Sequence, residues 1–291
     1  MNSNILEIKH LKKYYGNNRG IEDVSISLKE GEIYGFIGPN GAGKSTTIRT
    51  IIGLINKTSG NIYYKGKELN RNDIEIKEEI GYLPSEIHLY EDMSVKEILD
   101  YHESFYQKNI HPRRIELVKK LKVDESKKIE DLSLGNLKKV GIILALMHKP
   151  KLLILDEATS GLDPMMQSIF HDILKEEQKN KTTILYSSHV LNEISTICNR
   201  IGFIKEGIII KEDTIENIKK NNYTYLTIKS KNIKDIKDKL KLPIKKEEND
   251  KVTFINNLDI NQLLKELIKY NIEELLIEEV TLEDLFTNYY K

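Results

Sequence analysis

The sequence predicts an α/β protein in which a mainly parallel β-sheet is followed by a small α+β domain. Short apolar runs at 31–38, 151–157 and 182–188 are typical of strands that are covered on both faces. Amphipathic helical patterns alternate with these runs, at 43–54, 94–106, 136–147, 164–178 and 189–198. This alternation favours a mainly parallel sheet with helices on both sides.

The composition changes after residue 212, where glycine disappears and Lys, Ile, Glu and Asn dominate. We therefore predict a first domain at 1–212, a linker at 213–222 and an accessory domain at 223–291. Patterns along the accessory domain run strand, helix, strand, strand, helix, strand, which is the order of a ferredoxin-like unit. A last amphipathic helix is predicted at 281–290.

Charge and hydropathy exclude several classes of protein. Lys plus Arg equal Asp plus Glu at 45 each among 291 residues, so no global field attracts nucleic acid or an anionic membrane. The longest apolar stretches are far shorter than the roughly 20 residues of a membrane span, and the amino terminus lacks a signal-peptide core. The only cysteine, Cys198, lies near Ile194, Ile197 and Ile201 at helical spacing, which predicts a buried structural thiol in a cytosolic protein.

The stretch "GPNGAGKST" follows a predicted strand and opens a predicted helix, which is the context of a phosphate-binding P-loop. Its glycines let the backbone N–H groups turn toward phosphate oxygens. Lys44 would neutralise the β and γ phosphates, and the Ser45 hydroxyl would bind Mg²⁺. The predicted cradle consists of Gly38, Pro39, Asn40, Gly41, Ala42, Gly43, Lys44, Ser45 and Thr46.

Two adjacent carboxylates, Asp156 and Glu157, end the strand "LLILDE" where α/β folds place ligands. Asp156 suits the metal, through water, and Glu157 suits the base that orients or deprotonates the attacking water. His189 follows the strand "TTILYSS" and could reach the same edge to hold the γ phosphate or the water. Taken alone, the acids could be solvated side chains and the histidine a cap, but the neighbouring P-loop favours one catalytic site.

These motifs occur in a fixed order, and residues 1–212 resemble the ATP-binding subunit of an ABC transporter. The resemblance rests on the P-loop together with "YYG" at 14–16, "GYLPSE" at 81–86, "DLSLGNLKKV" at 131–140, "SGLD" at 160–163 and "SSH" at 187–189, which correspond to the aromatic loop, Q-loop, signature, D-loop and H-loop. It implies a P-loop NTPase fold with a mixed, mainly parallel core sheet, an antiparallel β subdomain and a helical subdomain. It also implies that Tyr15 stacks on adenine, with Tyr14 as the alternative.

The resemblance further implies a head-to-tail pair of ATP-binding subunits. Ser133 and the backbone of Gly135 in one subunit would bind the γ phosphate of ATP on the other, and Asp163 would join the nucleotide-binding residues. The second subunit could be an identical or a different chain.

Two motifs, the signature and the Q-loop, depart from the family pattern at three positions. The signature LSGGQ is LSLGN here, with Leu134 in place of glycine and Asn136 in place of glutamine. The Q-loop glutamine is Ser85, which would bind Mg²⁺ through a bridging water, or Glu86 would substitute for it. Because Leu134 restricts the backbone where the family has glycine, we expect the signature to bind the partner's nucleotide more weakly rather than not at all.

By this resemblance the chain hydrolyses ATP with Mg²⁺ and powers export through a separate transmembrane permease, which would dock near the Q-loop and residues 89–106. It would lie at the cytoplasmic face of the membrane and bind no nucleic acid, and antimicrobial or toxic peptides are a candidate cargo. The accessory domain would add dimer contacts or regulate the ATPase. The alternatives are a soluble ABC ATPase that acts on ribosomes or DNA and a weakly hydrolysing nucleotide-dependent sensor or scaffold.

Overall fold

A computed structural model describes residues 4–220 and 223–280. The chain forms two compact units, Met1–Ile215 and Glu216–Lys291. The terminal helix that the sequence predicts at 281–290 lies outside the described residues. Among the described helices, none is long and apolar enough to cross a membrane.

The first unit combines one large sheet with helices that pack on its strands. Its strands are β1 (Asn4–Tyr15), β2 (Asn18–Lys29), β3 (Ile33–Ile37), β4 (Ser59–Tyr64), β5 (Lys67–Glu68), β6 (Ile80–Leu83), β7 (Leu152–Asp156), β8 (Thr183–Ser188), β9 (Arg200–Lys205) and β10 (Ile208–Thr214). Its helices are α1 (Lys44–Ile51), α2 (Ile74–Lys77), α3 (Val95–Glu103), α4 (His111–Leu121), α5 (Leu134–Leu146), α6 (Pro164–Lys179) and α7 (Leu191–Ile197), with a 3₁₀ turn at Ile129–Asp131.

The parallel part of the sheet has the strand order β9-β3-β8-β7-β6, and β10 runs antiparallel to β9. Strands β3, β7 and β8 are buried along their whole length, as their apolar runs predict. The register pairs Ile37 with Ser188 and Ser187 with Asp156. Three loops therefore leave the sheet at the same edge, namely those that follow β3, β7 and β8.

The antiparallel part has the order β5-β4-β1-β2, and one pair, Asp23 with Ile208, joins it to β10. Its inward side chains share a core cluster with strands of the parallel part, including Phe36, Ile154 and Leu185. This confirms the predicted fold class, because the sheet is mixed and mainly parallel with an added antiparallel layer.

Local caps fix where three helices begin. Ser94 and Glu97 form a reciprocal capping box at α3, with the Ser94 N–H donating to Glu97 Oε2 at 2.7 Å. Asp163 accepts from the Met166 N–H at 2.9 Å and precedes Pro164, so α6 starts with a cap and a proline at its first position. Ser133 caps α5, accepting from the Asn136 N–H at 3.4 Å. The signature is therefore the first turn of a capped helix.

The surroundings of Cys198 differ from the helical spacing that the sequence predicts. The thiol is buried, as predicted. However, α7 ends at Ile197, and Ile201 belongs to β9 rather than to the same helix. Ile194 of α7 and Ile201 of β9 still lie together near the thiol because helix and strand meet at Gly35. A Cβ atom on Gly35 would lie within 3.1 Å of Ile194, Ile201 and Cys198.

Residues that the sequence assigns to a linker, 213–222, have regular structure up to residue 220. Asp213 and Thr214 complete β10, and helix α8 spans Ile215–Lys220. Ile215 and Ile218 are buried, which gives this short helix an apolar side that composition alone did not reveal.

The second unit contains β11 (Thr224–Lys229), α9 (Ile233–Leu240), β12 (Ile244–Glu248), β13 (Lys251–Asn256), α10 (Ile260–Leu267) and β14 (Glu274–Glu279). Its antiparallel sheet has the order β12-β13-β11-β14, which is a ferredoxin-like arrangement. This unit has a core of its own, which contains Leu263 of α10 and, from the strands, Leu226, Ile228, Val252 and Phe254.

Candidate active site

The P-loop connects β3 to α1, and two of its glycines leave no room for a side chain. Gly43 has φ +106°, and a Cβ atom there would lie 2.8 Å from the Gly20 carbonyl oxygen. A Cβ atom on Gly38 would lie 2.2 Å from the carbonyl oxygen of Ile204. The loop therefore packs tightly against β9 and β2, and its backbone can approach a ligand closely on the other side.

Lys44 is the first residue of α1 and is only 6% exposed. Its Nζ donates to the Gly38 carbonyl at 2.7 Å and to the Pro39 carbonyl at 3.3 Å. The same Nζ lies 3.4 Å from Glu157 Oε1. The ammonium is thus held at the mouth of the loop by acceptors that phosphate oxygens could replace.

Asp156 ends β7 and is fully buried. Its Oδ1 accepts from the Ser187 hydroxyl at 3.2 Å, whereas Oδ2 has no hydrogen-bond partner among the residues that the structure describes. Burial raises the pKa of this carboxyl, although Ser45 and Ser187 act in the opposite direction. A buried oxygen without a donor beside a serine hydroxyl fits Mg²⁺, a hard cation that takes oxygen ligands.

Glu157 follows in a left-handed backbone conformation, with φ +50°. Its N–H donates to the Ser187 carbonyl at 3.1 Å, which fixes the turn against β8. The carboxylate is turned toward His189, whose Nδ1 lies 2.7 Å from Glu157 Oε2. Because an ionised carboxylate only accepts, Nδ1 donates and Nε2 stays available for another group.

A cavity of about 570 Å³ lies at the carboxyl edge of the parallel strands, and the buried Asp156 is not among the described residues that line it. From the sequence-predicted residues it collects Tyr15, Asn40, Gly41, Gly43, Lys44, Ser45, Thr46, Ser85, Glu157 and His189. Glu86, Arg19, Gly20 and Ser160 complete the lining. Gly38, Pro39 and Ala42 form the inner side of the loop instead, with the Ala42 N–H donating to the Pro39 carbonyl at 3.1 Å.

The two tyrosines of the aromatic loop differ in whether their rings are held by other residues. Tyr15 lines the cavity and is 49% exposed, with Lys13 Nζ 4.8 Å from its ring centre. The Tyr14 hydroxyl donates to Glu22 at 2.5 Å, so that ring is tied to β2. The geometry favours Tyr15 as the ring that stacks on a base.

Ser133, Gly135 and Asp163 do not line this cavity within the part of the chain that the structure describes. Ser133 is exposed, and a Cβ atom on Gly135 would lie 3.0 Å from the Gly161 carbonyl oxygen. The signature and the D-loop are therefore neighbours in the same subunit. Asp163 caps α6.

Two residues that sequence reasoning missed hold the site's loops in place. Glu193 on α7 accepts from the hydroxyls of Thr159 at 2.8 Å and Ser188 at 3.1 Å, joining the loop after β7 to the end of β8. Lys138 on α5 donates to the carbonyls of Pro84 and Ser85, both at 3.1 Å. Neither has a motif signal of its own, and their roles depend on packing between elements distant in sequence.

A phosphate-binding loop, a buried metal-fitting carboxylate and a glutamate beside a histidine at one sheet edge define a P-loop nucleoside triphosphatase. Residues 21–160 match the family described as ABC transporter. The chain is 38% identical to the bacitracin transport ATP-binding protein BcrA of Bacillus licheniformis, over 77% of this chain and 74% of that protein. It is 33% identical to the linearmycin resistance ATP-binding protein LnrL of Bacillus subtilis, over 98% of this chain and 97% of that protein.

A solved structure of the ATP-binding subunit of an ABC transporter superposes with a TM-score of 0.70 at 29% identity, over 75% of this chain and 92% of that chain. The chain belongs to the family of ABC transporter ATP-binding subunits. It is an ATPase that uses ATP with Mg²⁺. These findings favour a transporter subunit over an ABC protein that acts on ribosomes or DNA, and over a sensor or scaffold.

Proposed function

We propose that this chain drives export through a separate transmembrane permease, at the cytoplasmic face of the cell membrane, as one of two head-to-tail ATPase subunits. In each site Lys44 and the P-loop amides bind the phosphates, Ser45 and Asp156 hold Mg²⁺, with Ser85 beside them, and Tyr15 stacks on adenine. When bound, Mg²⁺ supplies positive charge against the phosphates.

The ion pair between Lys44 and Glu157 supports a sequence of events for hydrolysis. Phosphate oxygens replace Glu157 as acceptors of the Lys44 ammonium, which frees the glutamate to take a proton from the attacking water. His189 keeps Glu157 oriented through Nδ1, and its Nε2 can accept a hydrogen bond from the attacking water. One subunit thus supplies the base, Glu157, the positive charge of Lys44 and the phosphate-binding loop.

The exposed signature supports the second subunit. Ser133 and Gly135 start α5 outside the cavity, which leaves the N–H groups of this helix terminus available to nucleotide on another molecule. Two identical copies satisfy this requirement, because each has both a P-loop half and a signature half.

The observation that carries the permease proposal is an aromatic groove beside the ATP site. Ser85 and Glu86 line the ATP cavity, and the next residues of the same segment line a second cavity of about 450 Å³. The groove is lined by His88, Leu89, Tyr90, Ile98, Tyr101, His102, Phe105 and Leu144. Three of its rings form a chain of edge contacts, with centres 6.4 Å and 4.9 Å apart, and remain about half exposed.

An exposed aromatic groove of this kind fits an amphipathic cytoplasmic segment of a membrane protein. Because one chain segment lines both cavities, ATP binding and permease movement can be coupled directly. The names of the relatives support an antimicrobial compound as cargo, since one is a bacitracin transport protein and another a linearmycin resistance protein.

The test is co-purification of the full chain with its permease from membranes, comparing Tyr101→Ser with Ile115→Ser. Both residues are exposed and apolar, but Ile115 lies on α4 and does not line the groove. We expect Tyr101→Ser to reduce recovered permease at least about threefold, because a half-buried aromatic contact is lost. It should lower the antibiotic concentration that cells tolerate, while ATP binding stays unchanged.

Equal recovery with both variants would refute the groove as the docking surface. Co-purification with ribosomes or DNA instead of a membrane protein would refute the export proposal itself.

A further inference from the structure

Lys138 is a lysine in the interior of the first unit. It lies on α5, five residues after the signature serine that caps this helix, and is 2% exposed. Lysine is almost never this buried unless its ammonium group is paired. Here the ammonium donates to two backbone carbonyls, those of Pro84 and Ser85, both at 3.1 Å.

The two carbonyls belong to the segment that contains the Q-loop position. This segment leaves the sheet at the end of β6 and then lines the ATP cavity with Ser85 and Glu86. Within the described part of the chain, no backbone N–H group pairs with either carbonyl. The Lys138 side chain is therefore the anchor for this turn.

Packing alone does not account for a lysine at this position. The residues that follow on α5 and face the core, Val140, Ile142 and Ile143, are apolar, and an apolar residue would fill the same space without burying a charge. Burial lowers the pKa of Lys138, and the carboxylates of Asp156 and Glu157 oppose this shift. The ammonium is thus close enough to Asp156 and Glu157 to interact with them electrostatically.

We propose that Lys138 is a positioning residue that joins the Q-loop segment of a subunit's own ATP site to the signature helix that the same subunit offers its partner. The serine at position 85 is too short to reach far across the cavity, so the placement of its backbone becomes decisive. One side chain fixes that placement relative to α5. Movement of the signature helix therefore shifts Ser85, and movement of Ser85 shifts the signature.

The inference rests on the ATPase cycle proposed above, and its test has a part that is independent of turnover. Lys138→Met keeps the length and packing of the side chain and removes all its donors. The matched control is Lys119→Met, since Lys119 is exposed on α4, lies outside the signature and the ATP cavity, and has a side chain that makes no hydrogen bond or ion pair with any described residue. Amide hydrogen exchange of residues 84–90 and steady-state ATP turnover are measured on the full chain.

We expect Lys138→Met to speed exchange at 84–90 and to lower kcat about 10-fold with KM for ATP within about twofold, because a misplaced group affects the transition state more than binding. Lys138→Gln, whose amide can still donate, should lose only about 2-fold to 3-fold in kcat. Lys119→Met should match the wild type in both measurements.

Wild-type exchange at 84–90 in Lys138→Met would overturn the anchor, whatever the turnover. A raised KM with unchanged kcat would overturn the positioning role. Should Lys138→Met fail to fold, Lys138→Gln decides by the same two criteria. If the wild type hydrolyses ATP only with its permease, the exchange measurement still tests the anchor, so its failure is distinct from failure of the proposed function.

Discussion

The P-loop half-site, which consists of residues 38–46 with Asp156, Glu157 and His189, lies in the same unit as the signature segment, 131–140. The two regions are built differently. In the half-site Lys44 and Asp156 are buried, and Glu157 is paired with both a lysine and a histidine. In the signature Ser133 is exposed and Leu134 is 66% exposed. The first region pairs Lys44, Glu157 and His189 within one subunit and leaves one Asp156 oxygen for a cation, whereas the second presents a helix terminus whose N–H groups need acceptors from outside.

The comparison also shows what the substitution in the signature changes. Leu134 lies against Gly161 of the D-loop, close enough that a Cβ atom on Gly161 would be 3.0 Å from the leucine side chain. The leucine therefore fills space between two segments of the same subunit while leaving the cap at Ser133 intact. The substitution at position 134 therefore changes packing and leaves in place Ser133 and Gly135, the residues proposed to bind the partner's phosphate.

The largest effect is expected from Glu157→Gln, which tests whether the half-site alone contains the catalytic base. Turnover should fall about 100-fold or more, because the amide cannot take a proton from water, while ATP binding remains. ATP should then hold two subunits together, which size-exclusion chromatography with light scattering would measure.

The matched control for this prediction is Glu130→Gln, an exposed glutamate that pairs with Lys128. It should hydrolyse ATP like the wild type. If Glu157→Gln also kept full turnover, the base would have to be another group.

A pH scan examines the other end of the signature helix. His148 follows α5, its Nε2 lies 3.3 Å from the Ile80 carbonyl oxygen, and its ring stacks on Tyr106. Burial lowers the pKa of His148 to about 4. In the unfolded chain a histidine has a pKa of about 6.5, so only the unfolded state takes up the proton between these values. Stability should therefore be complete above about pH 6.5 and decrease as the pH falls toward 4, by about 2–3 kcal/mol.

Chemical denaturation of wild type and His148→Gln between pH 7 and pH 4 measures this effect. The variant should lose the part of the dependence that His148 contributes, because glutamine does not titrate, while the part from His102 and His171, whose pKa values are also lowered by burial, remains. His88→Gln provides the control, since His88 is almost fully exposed. A pH dependence that survives in His148→Gln and equals that of the control would contradict the assignment.

The smallest effect is expected from restoring the family signature with Leu134→Gly and Asn136→Gln together. Glycine lets the helix terminus approach nucleotide more closely, so turnover at saturating ATP should rise about 2-fold to 5-fold. Helix stability should drop by roughly 0.5–1 kcal/mol at the glycine.

Leu54→Gly serves as the control, because Leu54 is similarly exposed and lies outside the signature. A decrease in turnover in the double variant alone would mean that the leucine itself helps to close the dimer.

Much of the fold could be predicted because the apolar runs of the buried strands and the P-loop motif are clear in the sequence. The apolar runs at β3, β7 and β8 and the motif "GPNGAGKST" each determine local structure without help from distant residues. Six of the nine residues of the predicted cradle line one cavity with Glu157 and His189 for a topological reason, since the strands that carry them are parallel neighbours.

The remaining features could not be read from local patterns. Glu193 and Lys138 look like ordinary polar residues of two helices, and only their contacts with other segments show that they hold the loops after β7, β8 and β6. The helical spacing around Cys198 was misleading at Ile201, because a strand and a helix can bring isoleucines together as well as one helix can.

By itself the sequence determined the P-loop and the pair of adjacent carboxylates, since each is specified by residue type and spacing at the end of its own strand, β3 for the loop and β7 for the acids. The tertiary structure decided which groups share a site. It placed Tyr15 rather than Tyr14 at the cavity, kept Ser133 and Gly135 outside it, and placed the Lys138 ammonium beneath Ser85. Those outcomes depend on long-range packing, in which residues far apart in sequence compete for the same few hydrogen-bond acceptors and the same buried space.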